Sequence, residues 1–214
     1  MKKVLVLGCT GSIGSSTLDI INNMSRDFCV CGLQAHSNKE KLAKLSADYK
    51  CPSLLSCENN SIEAFQQLID DAKPDIVVNG IAGAAGLLPS KIVLENGIDL
   101  ALANKETIVM AGPLIKDLAK DKEAKLLPVD SEHSAIFNLT QRIGMNNISK
   151  IVITASGGPF RTYSKEELEN VTLEQALKHP TWKMGKKITI DSSTLANKGL
   201  EVIEAAFLFD VTAD

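Results

Sequence analysis

Apolar residues gather into short runs rich in Val, Ile and Leu, at 4–7, 29–33, 76–78, 100–103 and 126–129, and each run is followed by a stretch of helical length and mixed polarity. Runs this short and without polar alternation predict strands buried on both faces, and helical connections between them predict a parallel sheet. Helices are expected at 15–23, 39–45, 62–69, 90–95 and 113–118, with 52–55 as a further strand. The fold class is therefore α/β, a doubly wound parallel sheet over residues 1–129. Beyond residue 130 the pattern changes: a strand at 150–155, short helices at 164–169 and 173–177, a polar loop over 180–193 and a helix over 197–209 are expected, which makes 130–214 a second region.

Gly8-Cys-Thr-Gly11-Ser-Ile-Gly14 directly follows the first run and opens the first helix. Backbone N–H groups and the helix dipole can hold a pyrophosphate there, and glycines let it come close. The spacing is G-x-x-G-x-x-G and no Gly-Lys-Ser/Thr follows, which disfavours an ATP loop. A tight strand-to-helix turn is the plain alternative, but the position after the first strand favours a dinucleotide. The second run ends in Leu33-Gln-Ala-His36-Ser37-Asn38, with no acid to bond a ribose 2′-hydroxyl. That favours NADP. His36, Ser37 and Asn38 can donate to a 2′-phosphate and Lys39 or Lys41 can add charge, the alternative being a polar turn that solvates itself.

Composition narrows the partners. The chain is 44% hydrophobic and 23% charged, with a net charge of −3 and the signs interleaved, so no basic stripe exists for nucleic acid. The longest uncharged stretch, 76–90, is too short to span a bilayer, and no secretory h-region follows Met1, so the expected compartment is cytoplasmic and the expected partner a small molecule. Five cysteines without a C-x-x-C pair predict reduced, mostly buried thiols rather than disulfides or a zinc site. Tyr49 and Tyr163 are followed four residues on by Ser53 and Glu167, so the Tyr-x-x-x-Lys pair of short-chain dehydrogenases is absent. A cysteine nucleophile would need a base brought to it by tertiary structure.

Asp130-Ser131-Glu132 stands at the end of the 126–129 run, where open α/β sheets place ligands. Its hard carboxylate oxygens suit Mg²⁺ or Mn²⁺ but need a third carboxylate, and the bland alternative is a cap for a helix at 135–139. Further on, Asn197, Lys198 and Glu201 span one helical turn. Asn197 and Lys198 can grip an oxyanion, with Glu201 on the same side as Lys198, whereas the alternative is an exposed Lys–Glu pair.

Seven motifs, taken in order, resemble those of the 1-deoxy-D-xylulose 5-phosphate reductoisomerase family: Leu7-Gly-Cys-Thr-Gly-Ser-Ile-Gly-Ser-Ser-Thr-Leu, Asn79-Gly-Ile-Ala-Gly-Ala-Ala-Gly-Leu, Ala103-Asn-Lys-Glu-Thr, Pro128-Val-Asp-Ser-Glu-His-Ser-Ala-Ile, Ala155-Ser-Gly-Gly-Pro-Phe-Arg, His179-Pro-Thr-Trp-Lys-Met-Gly and Asp191-Ser-Ser-Thr-Leu-Ala-Asn-Lys-Gly-Leu-Glu. The resemblance implies a Rossmann-type NADPH domain over 1–129 followed by a partial α/β catalytic domain over 130–214, incomplete at its C-terminus, and an NADPH- and metal-dependent isomerisation and reduction of 1-deoxy-D-xylulose 5-phosphate. It implies that Thr10, Gly11, Ser12, Ile13, His36, Ser37, Asn38, Asn104, Glu106 and Gly185 contact NADPH, and that Asp130, Glu132 and Glu201 bind Mg²⁺ or Mn²⁺. Lys105, Ser131, Ser156, His179, Ser192, Asn197 and Lys198 would bind substrate together with Glu132 and Glu201, and Trp182 would lie on a substrate cover. Lys105 and the three metal carboxylates would carry the catalysis. A homodimer is compatible with the resemblance. Family members are longer than this chain, so an NADPH-binding fragment without turnover, and a metal-independent NADP dehydrogenase of a semialdehyde or sugar, stand as alternative readings.

Overall fold

Six strands, β1 (Lys2–Leu7), β2 (Phe28–Ala35), β3 (Ser53–Leu55), β4 (Ile76–Asn79), β5 (Asp99–Leu102) and β6 (Leu126–Pro128), form one parallel sheet in the order β3-β2-β1-β4-β5-β6. This is the Rossmann-type order, in which the chain builds outward from β1 and then returns to β1's other side, leaving a crevice beyond the strand ends. The structure is a computed structural model describing residues 1–181 and 185–212; Trp182, expected on the substrate cover, lies outside the described residues. The chain divides into two units, Met1–Ser134 and Ala135–Asp214. Among the described residues no helix is long and apolar enough to cross a membrane.

The first unit holds α1 (Ser12–Asn23), α2 (Lys39–Tyr49), α3 (Ile62–Ala72), α4 (Leu87–Glu95) and α5 (Lys105–Asp121). Val4, Leu5, Val6 and Leu7 of β1 are all buried, because helices cover both faces of the sheet. Val4 and Val6 share one core with Leu18 and Ile21 of α1 and Leu42 of α2, while Leu5 faces Gly32 and Ala72 of α3 on the other side. A bulge falls in β2: Val4 pairs with Val30 but Leu5 pairs with Gly32, so Cys31 is the extra residue. The alternation shifts by one there, which is why Val30, Leu33 and Ala35 all join the same core.

Three helices of the first unit, α1, α4 and α5, begin earlier than the apolar pattern indicated, and in two of them the reason is visible. α1 starts at Ser12, inside the glycine loop, since Gly14 is buried against the loop itself: a Cβ on Gly14 would lie 2.3 Å from the Gly8 carbonyl oxygen and 2.5 Å from Cys9 Cα. α5 starts at Lys105 rather than near Pro113, and the proline leaves its mark as a break at Ala111 (φ −145°). Pro113 lacks an N–H and its ring crowds the preceding turn, so the helix is interrupted just before it.

The chain passes into the second unit through α6 (Ser131–Ile143). The expected strand at 150–155 is not formed, since the described residues of this unit include no strand to supply the ladder that would define it. Helices α7 (Lys165–Leu168) and α8 (Leu173–Ala176) match expectation, each entered through a capping box, Ser164 with Glu167 and Thr172 with Gln175. The expected loop over 180–193 instead contains α9 (Lys186–Ser193). Its β-branched and Ser/Asp content gives weak intrinsic helicity, offset by Thr189 donating to the Gly185 carbonyl at 2.8 Å and by a Lys187–Asp191 pair at 2.6 Å. α10 (Ala196–Phe209) closes the unit.

All five cysteines are free. Only Cys9 is buried, while Cys29, Cys31 and Cys51 are half-buried and Cys57 is exposed, so the expectation of mostly buried thiols holds for one of them alone. Burial pushes the Cys9 and Cys51 thiols up to about 11 and the Cys31 thiol up to about 12, which leaves them protonated and poorly nucleophilic near neutral pH.

Two outcomes are expected from this packing. Gly14→Ala should lower the unfolding free energy in urea by about 1–3 kcal/mol, because the added methyl meets backbone rather than a yielding side chain. Folded thiols that ionise above their ordinary value of 9 contribute stability that is complete below pH 9 and is lost as the pH climbs toward 11 to 12. Melting temperature measured from pH 8 to 11 should therefore fall, and fall less when Cys9, Cys31 and Cys51 are replaced by alanine.

Candidate functional site

The carboxyl ends of β1, β2, β4, β5 and β6 carry the candidate residues of the first unit. Gly8 turns the chain out of β1 at φ +75°, with its α-carbon so close to Gly80 that a Cβ would sit 2.8 Å from the Gly80 carbonyl oxygen. Gly11 N–H then donates to Gly8 O at 3.0 Å, and α1 begins with no side-chain cap and no acid in its first turn. Thr10 is half-buried, whereas Gly11, Ser12 and Ile13 are exposed. An uncapped helix start with exposed backbone is suited to an anion.

Lys41, not Lys39, is the cation directed at this loop. Its ammonium donates to Thr10 O at 3.3 Å and to Ser15 Oγ at 3.1 Å. Lys39 is drawn to Glu58 at 2.9 Å, a bond that holds its ammonium above the ordinary value. His36, Ser37 and Asn38 are exposed between β2 and α2, where Asn38 caps α2 by accepting from Lys41 N–H at 3.1 Å. His36 Nδ1 lies 3.2 Å from Ser56 Oγ.

Asn104 is committed more deeply than a surface ligand. Its amide group donates to Ile81 O at 2.6 Å and Gly83 O at 2.8 Å, while its oxygen accepts from Thr107 N–H at 2.9 Å, capping α5. Gly86 leaves the space, since a Cβ there would stand 2.6 Å from Asn104 Cγ. Asn104 therefore holds the loop after β4, and Glu106 is tied to it at 3.2 Å. Next to it the buried Lys105 ammonium meets Asp130 Oδ2 at 2.5 Å, joining the ends of β5 and β6. Asp130 Oδ1 accepts from Ser131 N–H, and Ser131 Oγ donates to Glu132 Oε2 at 2.6 Å. Asp130 stands at the start of α6, but its side chain accepts from the adjacent Ser131 N–H rather than from an amide two or three residues into the helix, so the capping alternative is not what its carboxylate shows.

In the second unit Ser156 Oγ lies 3.1 Å from His179 Nε2, and Arg161 donates to the Ser156 carbonyl. Gly157 and Gly158 both have positive φ, and Gly158 packs so tightly on α9 that a Cβ would be 2.5 Å from Ser192 O. Glu201, buried on α10, receives Asn197 on one oxygen at 2.5 Å and Lys198 on the other. The Lys–Glu pair is accordingly not the exposed one allowed by spacing. Gly185 precedes α9 as its N-cap. The unit gathers hydroxyls, an imidazole and an ammonium, the groups that recognise a phosphoryl or sugar oxygen.

Three residues at these strand ends had no assignment in the sequence: Gln34 and Ser56, both buried and hydrogen-bonded to one another at 2.9 Å, and His133, fully buried with Nδ1 3.9 Å from Asp130 Oδ2. For Gln34 the available signal was a polar residue inside an otherwise apolar strand.

Comparison with known proteins is consistent across sequence and fold. The family model for 1-deoxy-D-xylulose 5-phosphate reductoisomerase matches residues 4–73 and 59–112, and the model for its C-terminal domain matches 126–209. A reductoisomerase of this name from Thermoanaerobacter pseudethanolicus is 45% identical over 100% of this chain and 60% of its own length. One from Treponema denticola is 50% identical over 97% of this chain and 57% of its own length. A crystal structure of DOX-P reductoisomerase in complex with NADPH, fosmidomycin and magnesium superposes with a TM-score of 0.83 at 35% identity, over 99% of this chain and 59% of that one. The Zymomonas mobilis enzyme in complex with NADPH gives 0.82 at 37% identity, with the same coverage. The chain spans about 60% of the length of the curated relatives it matches. Matched by the family's models over residues 4–112 and 126–209 and sharing close to half its residues with those relatives, this chain belongs to the 1-deoxy-D-xylulose 5-phosphate reductoisomerase family.

Proposed function

We propose that the chain carries the NADPH-binding and metal-binding parts of an NADPH- and divalent-metal-dependent reductoisomerase that converts 1-deoxy-D-xylulose 5-phosphate to 2-C-methyl-D-erythritol 4-phosphate, a cytoplasmic step of isoprenoid synthesis. The observation that carries this reading is the convergence, at the carboxyl edge of one parallel sheet, of an uncapped glycine-loop helix terminus and a buried Lys105–Asp130 pair. Open α/β sheets bind ligands at that edge.

On this reading Thr10, Gly11, Ser12 and Ile13 bind the pyrophosphate of NADPH, His36, Ser37 and Asn38 its 2′-phosphate, and Asn104, Glu106 and Gly185 the remainder. Lys41 adds positive charge at the loop. Asn104 acts there by holding the loop after β4 in place, since its amide is already bonded to Ile81 and Gly83. Asp130, Glu132 and Glu201 form an all-oxygen donor set of the kind that fits Mg²⁺ or Mn²⁺. Lys105 and Lys198 supply countercharge to two of these carboxylates and fix where their oxygens point. When bound, the metal would polarise the carbonyl and hydroxyl oxygens of the substrate and NADPH would supply hydride. Ser156, His179, Ser192, Asn197 and Lys198 bind the substrate, mostly through its phosphate, with Ser131 and Lys105 at the reacting end. Remote phosphate binding fixes orientation before the chemistry begins. Trp182 is the proposed substrate cover, and a second copy of the chain the proposed partner.

One observation favours a second reading, an NADPH-binding unit without turnover: residues 150–155 have the composition of a strand but no ladder. NADPH oxidation with 1-deoxy-D-xylulose 5-phosphate separates the two. Turnover that requires Mn²⁺ or Mg²⁺ supports the reductoisomerase, binding without turnover supports the second reading, and turnover without metal points to a metal-independent dehydrogenase.

Asp130→Asn, Glu132→Gln and Glu201→Gln are each expected to weaken Mn²⁺ binding about tenfold or more, as removal of one hard ligand does, with NADPH affinity nearly unchanged. Calorimetric titration of both ligands checks this, and unchanged Mn²⁺ affinity in all three variants would remove the metal assignment. At the other end, the unmodified protein should bind NADPH more tightly than NADH, and Ser37→Asp should erode that preference by placing a carboxylate against the 2′-phosphate.

A further inference from the structure

A directed chain of hydrogen bonds runs from the glycine loop to His36 through two buried side chains that the cofactor reading does not use. The Gly8 backbone N–H donates to Gln34 Oε1 at 2.9 Å. Because a backbone N–H can only donate, the amide oxygen of Gln34 must face Gly8, and its NH₂ must face the other way. That NH₂ donates to Ser56 Oγ at 2.9 Å. With its oxygen already accepting from Gln34, Ser56 has its single hydroxyl proton to direct elsewhere, and His36 Nδ1 lies 3.2 Å away. Main-chain bonds hold the partners in place: Cys9 N–H to Gln34 O, Ser56 N–H to Ala35 O and Cys57 N–H to His36 O, each at 2.9 Å. Gln34 is 2% exposed and Ser56 8%, so the bond between them is shielded from solvent, while the His36 end of the chain is open to it.

We propose that Gln34 and Ser56 are positioning residues that fix the neutral His36 ring with Nδ1 as acceptor, so that Nε2–H is presented as a donor to the 2′-phosphate of NADPH. The inference rests on the NADPH reading and deepens it, because it names what orients the group that tells NADPH from NADH. An imidazole free to exchange tautomers would present an Nε2 lone pair to the phosphate part of the time, and that arrangement is repulsive. The same chain makes the two phosphate subsites dependent on one another. A shift in the loop at Gly8 reorients Gln34, and with it the ring at the far end.

The test combines a spectroscopic and a binding measurement on the full chain. In ¹⁵N-correlated NMR at pH 8, His36 should show the Nε2–H tautomer with Nδ1 at the position of a hydrogen-bonded acceptor. In Ser56→Ala that Nδ1 signal should move to the position of an unbonded imine nitrogen. The NADPH dissociation constant should rise about fivefold, the scale of one oriented hydrogen bond, with that for NADH unchanged. Ser56→Thr, which keeps the hydroxyl, should restore both the signal and the preference. An Nδ1–H tautomer in the unmodified protein overturns the proposal, as does a Ser56→Ala variant that keeps its preference for NADPH. Loss of affinity for both cofactors alike would show a merely structural role and overturn it too. Failure of the cofactor reading itself is distinguishable, since the unmodified protein would then show no preference for NADPH.

Discussion

The nucleotide end of this protein is organised by a contact in which no side chain fits. α1 lies on the Gly8–Cys9 backbone so closely that Gly14 has no room for a Cβ, and Gly8 in turn lies against Gly80 with too little room for one. These approaches bring the first turn of α1 and the loop after β4 to the carboxyl edge of the sheet. Ile13 then packs over Gly80, and Asn104 packs into the space left by Gly86. Steric exclusion at three glycines therefore decides where donors stand. Hydrogen bonds from Asn79 to Gly86 and from Asn104 to Ile81 and Gly83 keep them there.

The charged residues follow a second constraint, the cost of burying a carboxylate without a countercharge. Asp130 is met by Lys105 and Glu201 by Lys198, in both cases within a direct ion pair. Such pairs are weak evidence for stability, since desolvation offsets much of the attraction. Their value here is placement: an ammonium beside each acid fixes the direction of its oxygens. At the exposed rim the pairs Lys39–Glu58 and Lys178–Glu174 are of the solvated kind that contributes little.

Much of this was legible from residue order. Short apolar runs separated by helical stretches specify a parallel sheet because only strands covered on both faces are apolar throughout, and the glycine loop after the first run specifies its ligand edge. The motifs around Asp130, His179 and Asn197 identified the family because local residue types are preserved in order along the chain. Where periodicity was weak, expectation failed for a local reason: α9 is built from poor helix formers steadied by Thr189 and Lys187, and 150–155 has strand composition without a ladder.

Sequence by itself determined the strand order's ingredients, the glycine loop, the lack of an acid after β2 and the identity of the acids and lysines that chemistry would use. Tertiary structure alone decided how they are wired. The bulge at Cys31 shifts the alternation of β2 by one residue, sends Leu33 and Ala35 into the core and turns Gln34 the other way, toward Gly8 and Ser56. Elsewhere the tertiary structure chose Lys41 over Lys39 and turned Asn104 from a surface amide into a loop anchor. The physical reason is common to all three. A hydrogen bond or ion pair depends on distances of a few tenths of an ångström between segments far apart in the chain, and residue order carries no information at that scale until the sheet has set the register.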